Sequence, residues 1–260
     1  MLSAAEALLD ELALAQPDFT PHRYGLVAAC DGGLIEVSGL SVPVGALCRV
    51  AHGPRNEFGG EPLAEVIGFR NGRTLMMLLG DTVMLRPGSR VRPEGRPGML
   101  PVGEAFLGRA VDGEGHPIDG LGPLHWRDEW PAGGIRTGAL DRSPVREPFD
   151  TGVRALNALT MFGVGQRIGV MAGSGVGKSV LLDMIARGAE AEIVIVGLIG
   201  ERAREVSDFV ERHMAGEKRA RTAVIAVPAD HAPNLRIRGA LLATSLAEHF
   251  RAQGRKVLLI

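Results

Sequence analysis

The chain has 260 residues, 45% of them hydrophobic and 23% charged, with 29 Lys and Arg against 30 Asp and Glu for a formal net charge of −1. This is the composition of a globular protein with a sizeable core and room for about two domains. Near-neutrality and only 4% aromatic residues argue against a surface built for nucleic acid, which needs a positive field or stacking platforms. No apolar run approaches the ~18 residues of a membrane span. Cys30 and Cys48 lack metal-ligand spacing and read as reduced bystander thiols. A cytosolic protein is expected.

The opening stretch "MLSAAEALLDELALAQP" has no positive flank of the kind a signal peptide carries. Ser3 and Glu6 fit a capping box, and Ala5, Leu8, Leu9 and Leu12 recur at helical spacing until Pro17 stops the pattern. An amphipathic helix over residues 1–17 is expected, either packed on its own domain or offered to a partner.

Residues 18–95 change texture to short β runs between glycines, clearest in "GLIEVSG", "LAEVIGF" and "TLMMLLG". Asn71-Gly72 between the last two predicts a tight hairpin, because a type I′ turn needs positive φ at both central residues. Several such strands in sequence suggest a small barrel. Residues 96–150 are dense in Gly and Pro with apolar residues interleaved, and read as a connector wrapping between domains. Trp126 and Trp130 are its expected packing anchors.

From residue 151 to 260 strands alternate with helices. "QRIGVMAG" is expected as a buried strand, "KSVLLDMIARGA" as a helix, "AEIVIVGLIG" as a strand and "REVSDFVERHM" as a helix presenting Val206, Phe209 and Val210. "TAVIAVP", "RGALLATSLAEHFRAQG" with Gly254 at its end, and "KVLLI" continue as strand, helix and strand. This alternation predicts a parallel sheet with helices on both faces.

Ala172, Gly173, Ser174, Gly175, Val176, Gly177, Lys178 and Ser179 have the spacing of a Walker A loop, with Ala in place of the usual first Gly. The expected strand before it and helix after it supply the required context. Glycines let successive N–H groups turn inward around phosphate oxygens, and the helix adds its positive N-terminal end. Lys178 could then reach the β- and γ-phosphates, and the Ser179 hydroxyl could ligate Mg²⁺. ATP and Mg²⁺ are the implied nucleotide and metal.

Hydrolysis also requires a group that orients water at the γ-phosphate. Glu201 follows an apolar strand at its C-terminal end, the edge of an open α/β sheet where ligands bind. It can be that group, or simply a carboxylate favoured at a helix N-terminus; spacing leaves both readings open. Arg202 beside it could contact a phosphate. The seven histidines show no ligand spacing, and His231 reads as structural or solvent-facing.

Together, "DTGVRALNAL", "GQRIGVMAGSGVGKSVLL", "GLIGERAREVSDFVE", "RGALLATSLAEHFRAQGRKVLLI" and the connector block "VGEAFLGRAVDGEGHPIDG" resemble the catalytic ATPases of type III protein export, relatives of the rotary ATP synthase catalytic subunit. The barrel segment "EVIGFRNGRTLMMLLGDTVMLRPGSRV" looks more like the flagellar than the virulence branch. The resemblance implies an α/β P-loop NTPase of RecA-like type behind a small N-terminal β-barrel. It implies Lys178, Glu201 and Arg202 as catalytic residues, Glu201 activating water and Arg202 contacting phosphate.

The same resemblance implies a homo-oligomeric ring, expected to be a hexamer, that energises flagellar export by delivering or unfolding substrates. Its expected partners are a stator-like regulator at the N-terminal helix, export substrates and chaperones, and an export gate at the membrane. The expected place is the cytoplasm, peripheral to the inner-membrane export apparatus. A virulence secretion ATPase, a rotary synthase catalytic subunit, and a nucleotide-binding or assembly module without turnover are the alternatives. In such enzymes the last strand runs on into a Walker B aspartate, so residues 151–260 are expected to be an ATPase domain cut at that strand. The arginine finger, adenine-packing residues and C-terminal helical domain would also lie past Ile260.

Overall fold

The computed structural model describes residues 24–51, 61–79, 85–136, 138, 140, 142–173, 175–213 and 216–260. The helix expected over residues 1–17 and Ser174 of the glycine loop lie outside them.

Six strands form a closed barrel: β1 (Gly25–Asp31), β2 (Leu34–Ser38), β3 (Leu47–Val50), β4 (Leu63–Arg70), β5 (Arg73–Leu78) and β6 (Arg90–Glu94), in the order β1-β2-β5-β4-β3-β6. Alternation along each strand aims Val27, Ile35, Val37, Cys48, Val50, Val66, Met76 and Val91 inward, and closure leaves no strand edge exposed. The hairpin expected at Asn71-Gly72 is present: Arg70 pairs with Arg73, and the turn residues have φ of 50° and 72°. Both cysteines are free, Cys48 buried and Cys30 exposed. Burial first, and Glu94 second, push the Cys48 thiol up to about 11, which keeps it inert.

The connector contributes β7 (Met99–Val102), β8 (Ala110–Val111) and β9 (Asp128–Pro131), with β7 and β9 antiparallel. Trp130 does anchor it: its Nε1 donates to Glu248 Oε2 at 3.0 Å and its ring meets His249 edge-on at 5.7 Å. Trp126 lies against the buried Phe106 ring at 6.3 Å. A short antiparallel pair, β10 (Pro148–Phe149) with β11 (Phe162–Gly163), brackets helix α1 (Arg154–Leu159).

The remaining elements are α2 (Lys178–Gly188), β12 (Ile193–Ile199), α3 (Ala203–His213), β13 (Thr222–Val227), α4 (Pro233–Ala252) and β14 (Val257–Leu259). The sheet order is β14-β12-β13-β8 and every pairing is parallel. Residues alternate between its faces. Ile193, Ile195, Ala223 and Ile225 pack on Leu242, Leu246 and Phe250 of α4, whereas Val194, Val196, Val224 and Ala226 pack on Ala186 of α2 and Val206 and Phe209 of α3. Helices on both faces are thus observed, and α4 ends beside Gly254 at φ 81°, as glycine after a helix predicts.

Two features depart from expectation. The stretch "QRIGVMAG" is not a buried strand: it joins no ladder, and Ile168 and Met171 are 42% and 95% exposed. Its apolar residues record a preference for burial, but a strand also needs a hydrogen-bonding neighbour, and none of the described strands runs beside it. Conversely, the connector's Ala110 and Val111 extend the parallel sheet as β8, opposite Val224 and Ile225.

Asp119 holds β8 in place. It accepts from Arg109 Nε at 2.8 Å and Nη2 at 3.0 Å, and from the N–H of Ala110 at 3.0 Å and Leu121 at 3.1 Å. Burial alone would raise its carboxyl, but the Arg109 guanidinium and the two N–H groups hold it down at about 2. Its ordinary value is 3.8, so the unfolded chain takes up the proton first. The pair's contribution, of order 2 kcal/mol, should be complete above about pH 4 and lost as pH falls towards 2. Asp119→Asn should lower stability at pH 7 by about 3 kcal/mol and flatten that acid limb, as urea titrations between pH 2 and 7 can measure.

Candidate active site

All four strands of the parallel sheet point the same way, so their C-terminal tips define one edge. At that edge Gly200, with φ 78°, turns the chain out of β12, and Glu201 follows. The backbone here is tied across to β13: Gly200 N–H donates to Val227 O at 2.8 Å, and Ala229 N–H donates to Glu201 O at 3.0 Å. The Arg202 carbonyl accepts from the N–H groups of Glu205 and Val206 at 2.9 and 3.1 Å, opening α3. Glu201 therefore stands just outside the helix, held by main chain on both sides.

The glycine loop enters the same edge through α2. Gly175 and Gly177 adopt φ of 79° and 95°, a region that side chains disfavour. A Cβ at either would meet nothing within 4 Å, so the demand for glycine is conformational and not spatial. Gly177 O accepts from Leu181 N–H at 2.9 Å, closing the first turn of α2.

The far end of α2 is clamped by "DTG". The backbones of Gly152 and Gly188 touch where any Cβ would collide. Asp150 Oδ1 accepts from Gly152 N–H at 2.7 Å and from Asn157 Nδ2 at 2.6 Å, and the Thr151 hydroxyl donates to Asn157 Oδ1 at 2.7 Å. Ile185 and Ala189 pack with Val153 and Leu258 below the helix.

The loop and the strand tip meet. Lys178 Nζ lies 4.0 Å from Glu201 Oε1, the two side chains 41% and 39% exposed. Such an open pair is worth little to stability; what it provides is a cation and a carboxylate facing one opening. Ser179 is next along, exposed on the first turn of α2. Ala172, Gly173 and Val176 are exposed around the mouth. Arg202 is not brought in: its Nη1 lies 3.8 Å from Glu205 Oε1 on the first turn of α3, and its side chain is 71% exposed. His231 is exposed beside Asp230, at 3.4 Å.

Among the described residues no group of three His, Cys, Asp or Glu is placed to hold a metal. Arg236 and Arg238, on the first turns of α4 at the same edge, were not singled out by the sequence. Each keeps Nε buried with no hydrogen-bond partner. Two arginines in "RIR" just after a predicted strand end were the available signal.

Comparison with known proteins places this geometry. Residues 27–95 match the ATP synthase alpha/beta family, beta-barrel domain, and residues 152–260 match the ATP synthase alpha/beta family, nucleotide-binding domain. The flagellum-specific ATP synthase of Salmonella typhimurium is 45% identical over 251 residues, covering 92% of this chain and 54% of that protein. The type 3 secretion system ATPase of Xanthomonas euvesicatoria is 37% identical over 242 residues, covering 92% and 53%. The chain thus spans about half the length of these relatives. Among solved structures, the assembled ATPase EscN from the enteropathogenic E. coli type III secretion system superposes with a TM-score of 0.78 at 32% identity, covering 90% of this chain and 55% of that one. EscN in complex with its central stalk EscO gives 0.80 at 32%, covering 90% and 56%.

The loop geometry separates its glycines. Gly177→Ala should cost about 1–2 kcal/mol through its left-handed φ. Gly173, whose φ is ordinary and whose Cβ would meet nothing, should accept alanine within about 0.5 kcal/mol. Thermal melts of the two variants check the contrast.

Proposed function

The chain belongs to the ATP synthase alpha/beta family, and on that premise we propose that it is the nucleotide-binding part of an ATPase energising flagellar type III protein export. The observation that carries this reading is the Lys178–Glu201 pair, 4.0 Å apart at the mouth of a glycine loop. A loop with two left-handed glycines and a helix N-terminus behind it suits a polyphosphate tail. In the proposed roles Lys178 neutralises charge on the outer phosphates, and the Ser179 hydroxyl is the protein's ligand to Mg²⁺, which would polarise the phosphoryl oxygens. Amides and backbone of Ala172, Gly173, Ser174, Gly175, Val176 and Gly177 surround the tail. Glu201, whose main chain is fixed by β13, orients the attacking water. Arg202 assists at the phosphate only after leaving Glu205.

The flagellar assignment is favoured by relatives named flagellum-specific ATP synthase at up to 45% identity. A virulence secretion ATPase is the second reading, supported by the likeness to assembled EscN. The same likeness supports a ring of several copies, with a hexamer as the form proposed. A stator-like regulator, export substrates with their chaperones and a membrane export gate are the proposed partners, and no helix among the described residues is long and apolar enough to cross a membrane. Work in the cytoplasm, peripheral to the inner membrane, is part of the proposal.

Taken alone, residues 1–260 should bind nucleotide with negligible turnover. Both Lys178 and Glu201 are more than a third open to water, whereas phosphoryl transfer is served by an enclosed, preorganised site. A fluorescent ATP analogue titrated into the chain should bind, and Lys178→Ala should weaken it about tenfold or more. Glu201→Gln should leave affinity within about threefold, because the carboxylate addresses water and not phosphate. Equal loss in both variants, or an analogue that fails to bind the unaltered chain, would overturn the assignment.

A further inference from the structure

The helix that carries Lys178 and Ser179 is seated from its rear. Its buried residues, Asp183, Ile185 and Ala186, lie in its middle and last turns, and Ile185 packs with Ala189 just behind it. In the first turn Ser179 and Val180 are exposed and Leu181 is only partly buried, so little covers the end that meets the glycine loop. Below, α2 gives the small Ala186 to the cluster it shares with Val194, Val196 and Val224 of the sheet. A single methyl group on a β surface resists sliding weakly, and packed helices do slide along their axes. Residues 189–192 join α2 to β12, and a link of that length fixes the helix only if the link is itself held.

The turn before β13 holds it. A 3₁₀ turn, Glu217–Arg221, runs directly into Thr222, the first residue of β13. The Thr222 hydroxyl donates to Lys218 O at 3.0 Å, Gly108 N–H donates to Thr222 O at 2.7 Å, and Arg219 Nε donates to Gly108 O at 2.9 Å. This turn is thereby fastened to the foot of the strand and to the connector. From it Arg221 spreads its guanidinium over the link behind α2. Its Nη1 donates to Ala191 O and lies 3.3 Å from Ala189 O, and its Nη2 lies 3.4 Å from Arg187 O. Lys218 Nζ also donates to Arg187 O. Two cations suit the negative end of a helix, but it is the planar fork that spans from the last turn of α2 to residue 191. Both facing residues of the site are therefore referred to one strand. The tip of β13 fixes the Glu201 main chain through the bonds at Val227 O and Ala229 N–H, and its foot fixes the rear of a helix roughly 16 Å long with Lys178 at its front.

We propose that Arg221 is a positioning residue for the phosphate loop: by tying the carbonyls of Arg187, Ala189 and Ala191 to the foot of β13, it sets how far α2 advances along the sheet and so where Lys178 stands relative to Glu201. The relevance to nucleotide binding rests on the role proposed above for Lys178; the anchoring of the helix does not.

Amide hydrogen exchange on the nucleotide-free chain tests the anchoring. It is read at Leu181, whose N–H closes the first turn of α2, with Val50 in the barrel as internal reference. Arg221→Met should speed exchange at Leu181 about tenfold and leave Val50 unmoved. A merely local cap would loosen Ala189, behind the helix, and leave Leu181 as it was; that result overturns the proposal. Arg221→Lys keeps the charge without the fork, and it covers the case in which Arg221→Met does not fold. It should speed Leu181 by about threefold or more, and a Lys variant that matches the unaltered chain also overturns the proposal. Titration of the fluorescent ATP analogue gives a second arm. Arg221→Lys should weaken binding about fivefold in the unaltered background but less than about twofold beside Lys178→Ala, because its effect runs through that lysine. Equal losses in the two backgrounds mark a general structural role and count against it. The exchange result needs no nucleotide, so failure to bind ATP leaves it standing, and its own failure leaves the ATP-binding result untouched.

Discussion

The parallel ladder between β12 and β13 is the constraint on which the rest depends. Six successive residue pairs, from Val194 with Thr222 to Ile199 with Val227, keep the two strands level to their tips. Because both faces are covered, the strands are rich in Ile, Val and Ala, and a slip of one residue would exchange the two buried faces. The level tips let the ladder continue past the strands as the bonds of Gly200 to Val227 and Ala229 to Glu201. The backbone of Glu201, the carboxylate proposed to orient water, is thereby placed by main-chain bonds.

The connector is not a tether between two independent bodies. Through Asp119 and Arg109 it becomes the outermost strand of the parallel sheet, and through Trp130 it is fastened to α4. Its next turn, Asp112 to His116, packs through Gly113 against Leu235 and Gly239 in the first turns of α4. The segment from Ala110 to His116 therefore belongs structurally to the parallel-sheet domain. Gly and Pro content does not show that membership, because composition reports local stiffness and not which sheet a short strand joins.

Local signals were read correctly where the physics is local. Asn71-Gly72 specifies its turn through backbone φ, the periodicity of Val206, Phe209 and Val210 specifies the inward side of α3, and Gly175 and Gly177 mark left-handed positions. Lys178 and Glu201, 23 positions apart in "KSVLLDMIARGAEAEIVIVGLIGE", were placed together by the rule that parallel strand tips share an edge. What failed was anything set by a neighbour distant in sequence. The stretch 166–173 carries the apolar pattern of a strand without a pairing partner beside it. Ala110 and Val111 are too short to show a pattern.

The charges at the site's mouth separate the roles of its two facing residues. Lys178 and Glu201 sum to zero at neutral pH, and at 4.0 Å they satisfy one another loosely. A triphosphate tail arrives with several negative charges, which Lys178 and the N-terminal end of α2 attract and Glu201 repels. Under the proposed function the tail would draw the lysine away from its partner, and the carboxylate, its main chain held by the bond at its own carbonyl, would be left facing the outermost phosphate without touching it. Water, able to donate to both anions, is the species that fits between them. Under the proposed function, the position Glu201 holds as a poor phosphate ligand is what suits it to orient a nucleophile.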